Sequence, residues 1–232
     1  MPILNWIGKT AVVEHHKEVP FHLLRSNPEL SVGNPGSGNL LVQGDNLVAL
    51  KALLPYYAGQ VKCIYIDPPY NTGDELWSYN DAVDSPEMRS WLGKTVGREA
   101  EDLSRHDKWL CMMFPRMKLL IEFLKPDGFL LVSLDDIEIK RFRMMMDEIL
   151  PPDKYITTLI WKSRRNLDNR SLHNVSVDHE YVVAFRNGNG SFRGAEKDIS
   201  KYSNPDNDSR GPWMSDNLVS QQKNGALTFI MI

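Results

Sequence analysis

An apolar run, Val61-Lys62-Cys63-Ile64-Tyr65-Ile66, stops abruptly at Asp67-Pro68-Pro69-Tyr70, and this junction constrains the fold more than any other stretch of the chain. Two successive prolines fix φ and remove two backbone donors, so the chain must leave the strand as an extended, rigid turn with carbonyls free to accept. If Asp67 ends a buried parallel strand, its carboxylate and the Pro68 carbonyl face the crevice at the carboxyl edge of the sheet, where open α/β folds bind ligands. The upstream run Asn39-Leu40-Leu41-Val42-Gln43-Gly44-Asp45-Asn46 reads as a short strand, a turn and the start of a helix whose Leu47, Leu50 and Leu54 share one face. Asp45 or Asn46 would cap that helix. Downstream, Asn71-Thr72-Gly73 extends the turn into a polar loop able to move over a ligand.

The residue types at this junction suit one chemistry. An exocyclic amine on a ring is a poor nucleophile because its lone pair is delocalised, and two acceptors on its two hydrogens favour the pyramidal form that attacks. Tyr70 supplies a ring on which a base can stack, a contact of roughly 1–3 kcal/mol that offsets part of the few kcal/mol needed to extrude the base. The alternative reading is a plain proline turn with a tyrosine packed over it. The glycine clusters Gly33-Asn34-Pro35-Gly36-Ser37-Gly38 and Gly188-Asn189-Gly190 lack the strand, Gly-x-Gly-x-x-Gly, helix context of a phosphate loop and read as turns.

Residues 1–39 show no clear periodicity, whereas residues 40–66 give the strand, helix, strand pattern of a parallel α/β sheet. Residues 71–105 are polar and loop-rich. A helix is expected over 108–124, with Trp109, Met112, Leu120 and Leu124 among its apolar positions and a kink at Pro115. Pro126-Asp127-Gly128 then turns into a strand over 129–134. A second amphipathic helix is expected over 137–150 through Phe142, Met145, Met146 and Ile149, with the methionines as core filler. Strands over 155–161 and 179–185 fit an antiparallel pair closing one edge of the sheet.

Composition bounds the function. The chain has 232 residues, 42% hydrophobic and 25% charged, enough for one sizeable core. A net charge of −3 gives no general attraction for phosphates, so any contact with nucleic acid needs a local patch. Trp161-Lys162-Ser163-Arg164-Arg165 with Arg170 is the candidate, and a solvated loop is its alternative. Cys63 and Cys111 are the two cysteines, which excludes a disulfide framework and a cysteine zinc site. Both lie in apolar runs and are expected to be inert. The start Met1-Pro2-Ile3-Leu4-Asn5-Trp6 lacks the features of a secretion signal, and no stretch reaches the ~20 apolar residues of a membrane span, so a cytoplasmic protein is expected. His15 and His16 are adjacent and point apart, so no metal is assigned.

The ordered series Leu41-Val42-Gln43-Gly44-Asp45-Asn46, Tyr65-Ile66-Asp67-Pro68-Pro69-Tyr70-Asn71-Thr72-Gly73, Arg105-His106-Asp107-Lys108-Trp109-Leu110 and the stretch from Leu124-Lys125-Pro126 to Leu134-Asp135-Asp136 resembles the amino-methylating DNA methyltransferases. More narrowly it resembles the modification subunits of Type III restriction systems. The similarity continues through Met146-Asp147-Glu148-Ile149, Val177-Asp178-His179-Glu180-Tyr181, Asn204-Pro205-Asp206-Asn207-Asp208 and Arg210-Gly211-Pro212-Trp213. The resemblance implies a partial Rossmann-like, S-adenosylmethionine-dependent α/β fold and methylation of the 6-amino group of adenine in double-stranded DNA within a restriction-modification system. It implies Asp67, Pro68, Pro69 and Tyr70 as catalytic residues and Asp45, Asp67, His106 and Trp109 at the cofactor. Tyr70, Lys162, Arg164 and Arg165 would meet DNA.

The family's Phe-x-Gly-x-Gly cofactor segment has no match in the chain, which implies a sheet lacking the strands that segment supplies and a need for a missing C-terminal half or a complementing chain. The resemblance also suggests a homodimer working with a restriction subunit. The expected organisation is an extension over 1–39, a catalytic region over 40–190 and the start of a target-recognition region over 191–232. Two other readings stay open: an inactive remnant that only binds a partner or DNA, and a methyltransferase acting on the 4-amino group of cytosine or on another amine.

Overall fold

The computed structural model describes residues 3–34, 38–72, 86–97, 103–163, 177–194, 200 and 202–213. The chain divides into two compact units, Met1–Ser191 and Phe192–Ile232. The first is an α/β unit around a mixed sheet of four strands, β1 (Val61–Ile66), β2 (Leu124–Leu134), β3 (Tyr155–Lys162) and β4 (His179–Arg186), in the order β1-β2-β4-β3. β1 runs parallel to β2, with Ile64 opposite Leu130 and Ile66 opposite Val132. β4 is antiparallel to both β2 and β3.

β2 is covered on both faces over most of residues 128–134. Leu130, Val132 and Leu134 of β2 have no exposed surface, as expected for one face of a strand laid on a packed layer. That layer is two helices, α5 (Arg105–Phe123) and α6 (Ile139–Ile149), whose Trp109, Met113, Met117, Phe142, Met145 and Met146 join the same cluster. Edge-to-face rings run through it: Trp109 on Phe142 at 6.3 Å, Phe142 on Phe185 at 6.1 Å, and Phe185 on Tyr155 at 5.9 Å between centroids. The ladder thereby ties α5, α6, β4 and β3 through contacts worth about 0.5–1.5 kcal/mol each beyond burial. The methionines of α6 are core filler, as the sequence implies.

α5 begins earlier than the apolar pattern indicates, because Ser104 and Asp107 form a capping box. The Ser104 hydroxyl accepts from the Asp107 N–H, and the Asp107 carboxylate accepts from the Ser104 N–H. The helix runs on through Pro115 to Phe123. α6 begins at Ile139 because the Asp135 carboxylate accepts from the Ile137 N–H in a local turn first. In β2, the residues before Phe129 belong to the strand as an irregularity, with the register passing from Val61↔Leu124 to Cys63↔Phe129. Two turn residues buttress that irregularity: Asn187 N–H donates to Gly128 O at 2.9 Å and Asn189 N–H to Pro126 O at 3.2 Å.

Three expectations are corrected. The strand expected over 39–43 does not form. Its Leu40 and Leu41 are 60% and 97% exposed, and a strand needs a neighbour for its alternate N–H and C=O groups. β1 is not buried on both faces, because Ile64 and Ile66 pack on the core while Cys63 and Tyr65 are exposed. Among the described residues β1 pairs only with β2, so its other edge is open. Cys63 is therefore solvent-facing, whereas Cys111 is buried.

Residues 3–19 do more than precede the fold. Trp6 and Val12 enter the main core, Trp6 packs on Phe114, and Lys9 pairs with Glu148 at 2.7 Å. Trp6 precedes two single-turn helices, α1 (Lys9–Val12), which carries Lys9 and Val12, and α2 (His15–Glu18), and residues 20–34 are exposed throughout. Helix α3 (Asn46–Tyr57) buries Leu47 against Val19 and Leu119, with Leu50 and Leu54 packed alongside. Helix α4 (Pro86–Thr95) adds Leu92 to the main core. No helix among the described residues is long and apolar enough to cross a membrane. In the second unit, Ser203 and Trp213 exchange backbone hydrogen bonds, and the Trp213 indole donates to Asp206 at 2.9 Å.

Two outcomes test this packing. A Cβ on Gly188 (φ +70°) would lie 2.3 Å from the Pro126 carbonyl oxygen. Gly188→Ala is expected to lower stability by about 2 kcal/mol or more in urea unfolding, from clash plus left-handed strain. Burial pushes the Cys111 thiol up to about 12, so at pH 8 it stays protonated and unreactive. Titration with a thiol-specific disulfide reagent at pH 8 should modify one cysteine, Cys63, in the folded chain and both after unfolding.

Candidate active site

Asp67 follows the last residue of β1 and is exposed, and Pro68, Pro69 and Tyr70 are partly buried. The turn is anchored at three places. The Trp109 indole N–H donates to the Pro69 carbonyl at 2.6 Å, which leaves the Pro68 carbonyl unused by that bond. The Tyr70 hydroxyl donates to Glu180 Oε2 at 3.1 Å, fixing the ring against the start of β4. Asn71, only 2% exposed and at φ +61°, donates to Glu138 Oε1 at 2.5 Å and to the Arg105 carbonyl at 3.2 Å. Thr72 is held in turn by Arg105, whose guanidinium donates to its carbonyl.

Burial first, then the charges of Asp67 and Glu180, push the Tyr70 phenol well above its ordinary range. The shift keeps the hydroxyl protonated as the donor to Glu180. A second polar set borders the same sheet edge. Tyr181, opposite Leu134, donates to Asp136 at 2.8 Å and meets His179 Nε2 at 2.9 Å, and the Asp136 carboxylate raises its phenol too. The ends of β1 and β2 and the start of β4 thus bring Asp67, Tyr70, Asp136, His179 and Glu180 to one edge.

His106 lies in the first turn of α5 with its Nδ1 2.6 Å from Glu138 Oε1, and its side chain is 26% exposed. Trp109 has no exposed surface, so its observed role is to support the Asp-Pro-Pro-Tyr turn from within the core. Asp45 caps α3 by accepting from Leu47 and Val48 N–H, and its carboxylate is 57% exposed. Arg116 reaches it at 3.8 Å and donates to Asn46 Oδ1 at 2.7 Å. Burial lowers that guanidinium to about 10, with Asp45 opposing the shift. Arg116 stands three turns along α5 from Arg105, about 16 Å at 1.5 Å per residue. Asp45 and the turn at 67–70 are thus held by opposite parts of one helix.

Lys162 closes β3 opposite His179 and is exposed. Arg164 and Arg165 lie outside the described residues. No group of His, Cys, Asp and Glu among the described residues is arranged to hold a metal. Cavities of about 660 and 340 Å³ lie elsewhere, lined by residues 5–10 with Asp107 in the first unit and by Asp206, Asp208 and residues 210–213 in the second.

Sequence reasoning missed Glu138 and the anchoring roles of Asn71 and Glu180. Glu138 sits in a charged stretch, Asp135-Asp136-Ile137-Glu138-Ile139-Lys140-Arg141, that reads as a solvated face, and no local signal marks it as buried.

A family model described as DNA methylase matches residues 61–225, and the chain belongs to that family. The EcoP15I Mod subunit of a Type III restriction-modification enzyme from Escherichia coli is 34% identical over 193 residues, 78% of this chain and 30% of the relative. The StyLTI Mod subunit from Salmonella typhimurium is 36% identical over 170 residues, 69% of this chain and 26% of the relative. The chain therefore spans less than a third of the length of these curated relatives. Among solved structures, an M1.HpyAVI-SAM complex is 11% identical with a TM-score of 0.40, covering 67% of this chain and 59% of that one, a likeness too slight to argue from.

Removal of the Trp109 donor tests the site's support. Trp109→Phe keeps an aromatic in the core but leaves the Pro69 carbonyl unsatisfied, and should cost about 1–3 kcal/mol in denaturant unfolding.

Proposed function

We propose that this chain carries the amine-binding and base-stacking part of an adenine-specific DNA methyltransferase of the Type III modification class, acting in a restriction-modification system. The observation that carries the reading is the turn at 67–70. It presents an exposed aspartate at the carboxyl end of a parallel strand, beside a tyrosine ring fixed by Glu180. The two amine hydrogens of an extruded adenine would go to Asp67 and the Pro68 carbonyl, which localises the nitrogen lone pair for attack. Tyr70 would stack on the base, and the indole of Trp109 prevents the turn from yielding under it. Names among the relatives support the Type III modification assignment.

The donor set fits S-adenosylmethionine in part. Asp67 and Asp45 are exposed and offer carboxylate oxygens, which accept from hydroxyl and amino groups, and His106 keeps some exposed surface, whereas Trp109 offers none. When bound, S-adenosylmethionine would supply the methyl group. Asp45 and Asp67 are the residues of this chain proposed to hold it, with His106 at the border. Double-stranded DNA is the proposed substrate, with Lys162, Arg164 and Arg165 as phosphate contacts. A second copy and a restriction subunit are the proposed partners, in the cytoplasm.

The test is transfer of a labelled methyl group to duplex DNA, by the chain alone and by the chain supplied with the region of its relatives that it does not span. Mass analysis of the nucleosides should give 6-methyladenine, and Asp67→Ala should reduce transfer at least about 100-fold. Absence of transfer in both arms, or full transfer by Asp67→Ala, overturns the reading; 4-methylcytosine would move it to cytosine.

A further inference from the structure

We infer that Glu138 is a positioning residue whose single oxygen Oε1 holds the loop 67–72 in its working shape by accepting from Asn71 and His106 together. The geometry is specific. Asn71 Nδ2 lies 2.5 Å from Oε1 and His106 Nδ1 lies 2.6 Å from the same atom. Glu138 has no exposed surface, and Arg141 reaches its other oxygen only at 3.7 Å. Among the described residues that second oxygen has no hydrogen-bond partner. Glu138 precedes α6 and makes no capping bond with its side chain, so helix formation does not explain it.

A buried carboxylate is costly, and a well-packed apolar residue often stabilises a fold as well or better. What an apolar side chain cannot do is join two donors that come from different elements. Here those elements are the loop after β1 and the first turn of α5. Asn71 sits at φ +61°, a left-handed conformation that few residues other than glycine, asparagine and aspartate adopt. Its amide is spent on Glu138 and on the Arg105 carbonyl, so the side chain locks the reversal that places Pro69 over Trp109 and Tyr70 near Glu180. As a carboxylate, Glu138 only accepts, so His106 donates to it through Nδ1–H.

The structural claim stands on these contacts alone, and its catalytic consequence rests on the methyltransferase reading above. The test therefore has two readouts on the full chain. One is the Trp109 indole N–H cross-peak in a ¹⁵N–¹H spectrum, identified among the six tryptophans by Trp109→Phe. It reports the bond to Pro69 without substrate. The other is methyl transfer, resolved into kcat and KM. Glu138→Leu should shift and broaden the cross-peak and lower kcat about 100-fold, as expected for misplacement by roughly an ångström, with KM for S-adenosylmethionine within about threefold.

Glu138→Gln keeps an acceptor oxygen and should restore both readouts. Asn71→Gly keeps the left-handed backbone and removes the amide, so it should reproduce the shift, and it decides the matter if Glu138→Leu does not fold. An unmoved cross-peak in Asn71→Gly, or a folded Glu138→Leu indistinguishable from the parent, overturns the inference. So does a Gln variant as impaired as the Leu variant. If the parent transfers no methyl group, either alone or supplied with the region of its relatives that it does not span, the functional reading fails and the cross-peak still decides the positioning.

Discussion

A carboxylate without solvent, at the meeting point of a strand exit and two helix starts, sets the terms for the rest of this structure. Glu138 can be buried only while its donors stay in place, so the loop after β1, the first turn of α5 and the entry to α6 lose their independence. Beneath it, Trp109 combines two functions that are usually separate. Its ring joins the ladder with Phe142 and Phe185, and its N–H reaches the turn. The rigidity of the core is thereby passed to residues that face outward. At the other half of α5, Arg116 extends the same helix's hold to Asp45 and Asn46.

The charge distribution follows from the same arrangement. Asp67, Asp136 and Glu180 gather at the carboxyl edge of the sheet, and two phenols, Tyr70 and Tyr181, donate into them. The net charge of −3 is thus not spread evenly but includes an acceptor-rich edge suited to amines rather than to phosphates. Among the described residues, the cation proposed as a phosphate contact, Lys162, is exposed at the end of β3.

Much of the α/β pattern was legible because it is written in local periodicity. The apolar run of β2, the methionine and phenylalanine face of α6, and the strands β3 and β4 each declare themselves within windows of about ten residues. The turn at 67–70 was legible because two prolines leave the backbone few choices. Residues 39–43 misled for the opposite reason: their apolar character signals a strand, but a strand is a relation between two segments, and none of the described residues pairs with them. β1 was misjudged in the same way, since its period says nothing about whether its second face is covered. Glu138 was illegible because its burial depends on Asn71 and His106, far from it in sequence and unmarked by any local pattern. Asn71 and Glu180 were visible as motif members, but not as anchors.

The register of the sheet carries one more implication, for the time at which the site comes into being. β1 gains its partner only by closing a long chain segment, with Cys63 meeting Phe129, and Tyr70 gains Glu180 only after a longer closure still. Helices such as α5 form from neighbours, whereas such distant pairings bear the entropy of loop closure before any contact rewards it. The shape of the Asp-Pro-Pro-Tyr turn is therefore inherited from events elsewhere in the molecule. A nascent chain that has emerged no further than α5 contains all four of its residues but neither the strand beside β1 nor the anchors from Glu138 and Glu180.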